Sequence, residues 1–93
     1  MQKFEVLLSE TAVKQIKRLE LKTQRVIKGH LKELSNDPFK KRSKADIKKL
    51  KGFRDPELYR LRVGKYRAIY AVINNRVKIT EIFLRGKGYA WLD

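Results

Sequence analysis

Three arginines lie close together in the second half of this chain, at Arg60, Arg62 and Arg67. An arginine side chain keeps its positive charge at neutral pH, and its planar guanidinium group presents paired N–H donors that match the oxygens of a phosphate. Side chains two residues apart leave a β-strand on the same face, so a strand presents Arg60 and Arg62 together. These residue types and their spacing favour the binding of a nucleic-acid backbone.

The third arginine joins the other two if the Gly64–Lys65 dipeptide is a two-residue hairpin turn, because glycine tolerates the positive φ angles that such turns require. In that register Arg62 faces Arg67 across the ladder, and like charges in this position cost roughly 0.2 to 1 kcal/mol. A fold keeps such a conflict more readily where function needs it, so we interpret the arginines as a site. The alternative is a solvated charged face without a ligand. The same register pairs Val63 with Tyr66, Leu61 with Ala68 and Arg60 with Ile69.

A second two-residue turn, Asn74–Asn75, brings a third strand beside the first two. Its predicted pairs are Ile73 with Arg76, Ala71 with Lys78, Ile69 with Thr80 and Arg67 with Ile82. Arg76 and Lys78 thereby join the arginines on one face. The opposite face collects the apolar side chains of a core, namely Tyr59, Leu61, Val63, Ala68, Tyr70, Val72, Val77, Ile79 and Phe83. Glu81 falls on this apolar face and breaks its pattern, so either the sheet twists away at its end or this carboxylate meets a cation there.

The first half of the chain must cover that apolar face. An apolar run at residues 4–8 predicts a strand that ends at Ser9, a natural helix N-cap with Glu10 in the first turn behind it. Apolar residues at three- and four-residue spacing predict a first helix to about Glu20, and a second helix that Thr23 caps and residues 36–38 stop. The predicted fold class is therefore α+β, with an N-terminal strand, a helical hairpin and an antiparallel three-strand meander forming one sheet.

The composition also points to a polyanionic partner. The chain has 93 residues, the size of a single domain over residues 1–93, and its 24 Lys and Arg against 10 Asp and Glu leave a net charge of +14. A membrane surface is the rival partner, but no segment approaches the ~18 apolar residues of a spanning helix, and nothing at the N-terminus looks like a signal peptide. We therefore expect a cytoplasmic protein. With no cysteine and His30 as the single histidine, we expect no metal site and no cofactor.

Two longer motifs carry a family resemblance. Lys49-Leu50-Lys51-Gly52 and the run Tyr59-Arg60-Leu61-Arg62-Val63-Gly64-Lys65-Tyr66-Arg67-Ala68-Ile69-Tyr70, in this order of elements, resemble the RelE/ParE toxin superfamily. The resemblance spans nearly the whole chain. It implies a RelE-like fold, related to that of microbial ribonucleases, and an endonuclease that cuts messenger RNA in the ribosomal A site. It also implies a partner, a cognate RelB-like antitoxin, which we expect to be acidic.

Residue by residue, the resemblance puts the catalytic positions of RelE-type toxins on Arg60, Arg62, Arg67, Arg85 and Tyr89. The chain departs from the best-known RelE pattern, with arginine in place of lysine at the first two positions and Leu84 where many relatives have histidine. Strict alternation along the third strand puts Arg85 on the core side. A catalytic Arg85 therefore requires the strand to end or bend near Gly86.

Metal-free RNA cleavage uses the 2′-hydroxyl as the nucleophile, so something must accept its proton. Arginine cannot do so at neutral pH, and the predicted cluster contains no His or Glu, which leaves Tyr89. The pKa of a tyrosine is about 10 and falls beside guanidinium groups, which makes Tyr89 the candidate base, though a poor one. Arg85 then stabilises the leaving oxygen or acts as the acid. Such a site should be slow on free RNA, so we expect the ribosome to orient the message. The alternative for Tyr89 is packing against the sheet edge.

Residues 40–54 are predicted to be a basic loop with little core content. Its charge suits contact with RNA or docking of an acidic antitoxin, and a solvated surface is the alternative. The candidate residues for RNA or ribosome binding are Lys44, Lys48, Lys49, Lys51, Arg76 and Lys78. Two other functions stay open: a ParE-type toxin, which inhibits DNA gyrase and lacks the C-terminal catalytic Arg and Tyr, and a non-catalytic protein that binds RNA or the ribosome.

Overall fold

A five-stranded sheet with two helices on one face is formed by residues 3–87, which are the residues that the computed structural model describes. The elements in chain order are β1 (Glu5–Leu8), α1 (Glu10–Lys17), α2 (Leu21–Glu33), β2 (Asp46–Lys49), β3 (Leu58–Val63), β4 (Tyr66–Ile73) and β5 (Arg76–Leu84). The strand order is β1-β5-β4-β3-β2, with β1 parallel to β5 and the other neighbours antiparallel. The predicted α+β class is confirmed. No helix within residues 3–87 is long and apolar enough to span a membrane.

The helical hairpin begins where the sequence predicts. The Ser9 side chain accepts a hydrogen bond from the backbone N–H of Ala12 at 3.0 Å, which confirms the N-cap of α1. The predicted cap of α2 by Thr23 is wrong, because α2 already begins at Leu21 and Thr23 lies in its first turn. A side chain from inside α2 closes this short connection instead, since the Gln24 amide donates to the Leu19 carbonyl at 2.8 Å.

The basic stretch at residues 40–54 is not all loop, so that prediction is wrong in part. Residues Asp46–Lys49 form β2, an edge strand that pairs antiparallel with β3 and places Asp46 opposite Arg62 and Lys48 opposite Arg60. Ile47 is buried in the core, whereas the two lysines that follow it are exposed. An edge strand of this kind carries few apolar residues, and charged side chains protect its open edge from further pairing.

Both predicted hairpin turns are confirmed. Gly64 and Asn74 open them with φ angles of +58° and +57°. All predicted β3–β4 pairs are confirmed, and so are the pairs of Ile73 with Arg76 and Ala71 with Lys78.

The register between β4 and β5 then shifts by one residue, contrary to the uninterrupted pairing predicted from the turn. Tyr70 pairs with Ile79, whereas Ile69 pairs with Glu81, so Thr80 is the extra residue of a β-bulge. The predicted pairs of Ile69 with Thr80 and Arg67 with Ile82 are therefore wrong. The observed partner of Arg67 is Phe83.

Beyond Thr80 the bulge reverses which side chains of β5 face the core, because successive side chains of a strand alternate between the two faces of the sheet. Ile82 lies in the core beneath the helices, and the prediction that Phe83 lies there is wrong. Phe83 belongs to a second apolar cluster on the other face of the sheet, with Leu50 and Ile69, against which Phe53 and Leu58 pack. Burying the apolar Ile82 in place of the Glu81 carboxylate accounts for the shift, since an unpaired buried charge is costly.

Candidate nucleic-acid interface

The sheet face that points away from the helices carries the predicted arginines, and we call it the arginine face. Two rows of this face cross the sheet from β2 to β5, with one residue from each strand. The first row is formed by Asp46, Arg62, Arg67 and Phe83. The next row is formed by Lys48, Arg60, Ile69 and Glu81. Neighbouring strands are about 4.8 Å apart, so each row spans roughly 14 Å. That is wide enough to contact more than one phosphate of a single strand.

Arg62 is the exposed cation in the middle of this face. It pairs with the acidic Asp46 on β2 and with the basic Arg67 on β4. Its exposed guanidinium group can approach an external phosphate without first leaving a buried position.

Arg60 is more enclosed and has a carboxylate partner. Its side chain is 11% exposed, and its Nη2 lies 3.4 Å from Oδ1 of Asp46. The same oxygen lies 3.7 Å from Nζ of Lys41. Asp46 therefore reduces the repulsion among the cations at this side of the face, and it sets the direction of the Arg60 side chain.

Arg67 is buried, at 3% exposure, although its backbone register places it on the same face. Its Nη1 donates hydrogen bonds to the carbonyl oxygens of Gly64 and Tyr66, both at 3.0 Å. These bonds direct the guanidinium group toward the β3–β4 turn. The like-charge pair with Arg62 is thus tolerated because Arg67 has backbone acceptors of its own.

Glu81 and Arg85 reach this face through the bulge. Glu81 pairs with Ile69, one strand away from Arg60, and Arg85 follows Phe83 by two residues. The Arg85 backbone N–H donates to the Lys65 carbonyl at 2.8 Å, so the ladder continues one residue beyond β5 and alternation keeps the exposed Arg85 on the arginine face. The predicted bend near Gly86 is unnecessary, since the bulge at Thr80 already shifts the alternation of side chains upstream.

The remaining candidates are spread more widely. Lys48 lies on the arginine face beside Arg60, and Lys78 and Arg76 lie on the same face toward its other end. Lys78 pairs with Ala71, which is four residues along β4 from Arg67, a distance of roughly 13 Å. Arg76 pairs with Ile73, which is six residues from Arg67, or roughly 20 Å. Arg76 also pairs with Glu5, at 3.3 Å.

The other lysines belong to different surfaces. Lys49 alternates onto the helix side of β2, where it forms an ion pair with Glu57; this bond raises the pKa of Lys49 and lowers that of Glu57. Lys44 precedes β2 and Lys51 follows it, and both are exposed. Tyr89 lies outside the described residues.

Two residues of this face were not among the sequence candidates, Glu81 and Asp46. The signal for Glu81 was present, since it was the polar residue that broke the predicted apolar face. Asp46 was the one acid within residues 40–51, but its place opposite Arg62 follows only once β2 is known to pair with β3.

Comparisons with known proteins identify the family. The chain matches, over residues 6–89, the family model described as ParE toxin of type II toxin-antitoxin system. A curated relative from Methanocaldococcus jannaschii, named "Putative toxin RelE1", is 34% identical over 87 residues, which are 92% of this chain and 93% of the relative. The chain therefore belongs to the RelE/ParE toxin superfamily.

Solved structures show the same fold. The chain is similar to a chain of the archaeal RelE–RelB complex from Pyrococcus horikoshii, with a TM-score of 0.78, 31% identity, and coverage of 94% of this chain and 100% of that one. It is also similar to a chain of the RelB–RelE antitoxin–toxin complex from Methanococcus jannaschii, with a TM-score of 0.71, 29% identity, and coverage of 94% and 99%.

Proposed function

We propose that this chain is a RelE-type toxin that cuts messenger RNA in the ribosomal A site, in the cytoplasm, without a metal ion. The observation that carries the proposal is the bulge at Thr80, because it adds Arg85 and Glu81 to the sheet face that already holds Arg60 and Arg62. Guanidinium groups and a carboxylate on one surface are suited to phosphoryl chemistry that uses the 2′-hydroxyl of RNA as nucleophile.

The reaction needs a base, an acid and stabilisation of charge. In our proposal the Glu81 carboxylate accepts the 2′-hydroxyl proton. The 2′-oxygen attacks the adjacent phosphorus, and Arg62 and Arg85 stabilise the phosphorane. The bond from phosphorus to the 5′-oxygen then breaks, and the Tyr89 hydroxyl protonates the leaving oxygen. The products are a 2′,3′-cyclic phosphate and a 5′-hydroxyl. Arg60 adds positive charge beside Arg62, and Arg67 holds the β3–β4 turn next to the site.

The shape of the face supports dependence on the ribosome. Arg62 and Arg85, which stabilise the phosphorane in our proposal, are exposed on the sheet surface rather than enclosed in a cleft. An open surface supplies charge but does little to align the 2′-hydroxyl, the phosphorus and the leaving oxygen, and alignment is a large part of such catalysis. A ribosome that holds the message in one conformation provides what the surface lacks. We propose that exposed Lys48 contacts ribosomal RNA or the message beside Arg60. Exposed Lys44 and Lys51, before and after β2, are further candidates for such contacts.

An acidic antitoxin is the second partner that we propose. The two similar solved structures are complexes of RelE with RelB, and the net charge of +14 favours a partner of opposite charge. Binding of such a protein over the arginine face would neutralise the cations and exclude RNA.

Gyrase inhibition is the competing function, because the matching family description names ParE. The purified chain should be added to ribosomes that carry a defined message, to the same message free in solution, and to gyrase in a supercoiling assay. We expect cleavage at the A site, cleavage of free RNA at least about 100-fold slower, and unimpaired supercoiling. Efficient cutting of free RNA would contradict the proposed ribosome dependence, and inhibition of gyrase without cleavage would replace the proposal.

A further inference from the structure

The bulge in β5 leaves backbone groups that the sheet alone does not satisfy. The parallel partner β1 ends with the pair of Leu8 and Ile79, so it does not extend along β5 beyond the bulge. Two side chains from the start of the chain bond to β5 just beyond that point. Ser9 Oγ donates to the Thr80 carbonyl at 2.8 Å, and Gln15 Oε1 accepts from the Ile82 backbone N–H at 2.6 Å.

Ser9 connects the helix to the bulge. Its backbone N–H donates to the Ile79 carbonyl at 2.9 Å, and its Oγ accepts from Ala12 N–H at the start of α1. On the other side of the bulge, Thr80 Oγ1 donates to the Ile69 carbonyl at 3.2 Å. The extra residue of β5 is thus held from both sides, by the N-cap of α1 and by β4.

Gln15 bonds to the part of β5 that follows the bulge. Ile82 is buried under the helices, and the next residues, Phe83 and Arg85, belong to the arginine face. Without an acceptor, the Ile82 N–H would be an unsatisfied donor in a partly buried position, which favours local opening of the strand end. The bond from Gln15 therefore keeps the last residues of β5 paired with β4.

We infer that Gln15 is a positioning residue of the arginine face: it lies on the opposite side of the sheet and holds Ile82, so that Glu81 and Arg85 stay in place for RNA cleavage. This inference rests on the proposed function for its consequence in catalysis. Gln15 accepts the backbone N–H of Ile82, so we assign its effect on the arginine face to the β5 backbone.

Substitutions of equal length separate the hydrogen bond from the packing of the side chain. A Gln15→Glu carboxylate still accepts the Ile82 N–H, whereas Gln15→Met fills similar space with no comparable acceptor. The matched control is Gln24→Met, because Gln24 bonds to Leu19 within the helical hairpin and not to the sheet. All four proteins are compared by amide hydrogen exchange and by single-turnover cleavage on programmed ribosomes.

For Q15M we expect Ile82 amide exchange about 10- to 100-fold faster than in wild type, weaker NOEs between Lys65 and Arg85, and a cleavage rate reduced about tenfold with unchanged ribosome affinity. Q15E and Q24M should match wild type in the Ile82 exchange rate, in the Lys65–Arg85 NOEs and in the cleavage rate. Wild-type cleavage by Q15M despite fast Ile82 exchange, or unchanged exchange in Q15M, would overturn the inference. If wild type itself does not cut, the proposed function fails, while the exchange and NOE data still decide whether Gln15 holds the strand.

Discussion

Arg62 and Arg67 lie directly opposite each other across the β3–β4 ladder, yet their guanidinium groups have different surroundings. Arg62 is exposed, whereas Arg67 is 3% exposed and bonded to the carbonyls of Gly64 and Tyr66. Two residues that sequence reasoning treats as equivalent therefore have separable roles. We propose that Arg62 contacts the phosphate and that Arg67 holds the β3–β4 turn in place.

Alanine substitutions should separate these roles. R62A should lower A-site cleavage about 100-fold, as loss of one charge-stabilising donor does, with the free energy of unfolding within about 0.5 kcal/mol of wild type. R67A should lose about 2 kcal/mol of stability, because two backbone acceptors lose a charged donor. Urea denaturation and single-turnover cleavage measure the two effects. R76A is the control, since Arg76 is an exposed cation at the far end of the same face. Equal loss of cleavage in R76A and R62A would refute the assignment.

The proposed base and acid can be distinguished by changing the leaving group. E81Q should lose most of the activity on an ordinary message, because an amide accepts a proton far less readily than a carboxylate, and Y89F should also be slow, because it removes the proposed acid. A message with sulfur in place of the bridging 5′-oxygen at the scissile bond has a leaving group that needs no acid, so it should restore cleavage by Y89F but not by E81Q. Single-turnover rates on programmed ribosomes measure both effects. An E81Q protein with the wild-type rate would return the role of base to Tyr89.

Tyr70 should contribute to stability through one buried hydrogen bond. Its hydroxyl donates to the Pro38 carbonyl at 2.8 Å, and burial raises the pKa of Tyr70, so the group stays protonated and remains a donor. Y70F leaves that carbonyl without its donor and should cost about 1 to 2 kcal/mol in urea denaturation. Y66F, at a half-exposed tyrosine of the same strand, is the control. An equal loss in both variants would mean that the Pro38 bond contributes nothing specific.

Asp37 gives a prediction for acid stability. Backbone N–H groups of Phe39, at 2.8 Å, and Lys40, at 3.2 Å, donate to its carboxylate and lower its pKa. Because the folded-state pKa lies below the unfolded value, this stabilisation is present above about pH 4 and is lost as the pH falls through the folded pKa. D37A should therefore be less stable than wild type by on the order of 1 kcal/mol at pH 7, with the difference shrinking toward pH 2. A difference that does not change with pH would show that the carboxylate charge is not responsible.

The features that depend on one residue and its near neighbours in the chain could be predicted from the sequence. The turns at Gly64 and Asn74 follow from φ preferences of single residues, and the Ser9 cap follows from a short polar side chain before an amphipathic run. The Gly64 turn fixes the β3–β4 register, and with it the positions of the three arginines. The strand β2 was missed because Ile47 alone, among lysines, marks its core side.

The bulge could not be predicted by local rules, because its partners are distant in sequence. Gln15 and Ile82 are 67 residues apart, and Ser9 and Thr80 are 71 apart. The sequence did contain the conflict that the bulge resolves, which was Glu81 on an apolar face. Reading that conflict as a change of register would have placed Arg85 correctly without a bend at Gly86.

The central claim is that the arginine face cuts messenger RNA through the 2′-hydroxyl, and one measurement tests it most directly. Ribosomes are programmed with a message that carries a single 2′-deoxynucleotide at the scissile position of the A-site codon, beside an all-ribose control. We predict that the control is cut to a fragment ending in a 2′,3′-cyclic phosphate, and that the deoxy message stays intact at that bond. Cleavage of the deoxy message at the same bond, or no cleavage of either message, would contradict the account.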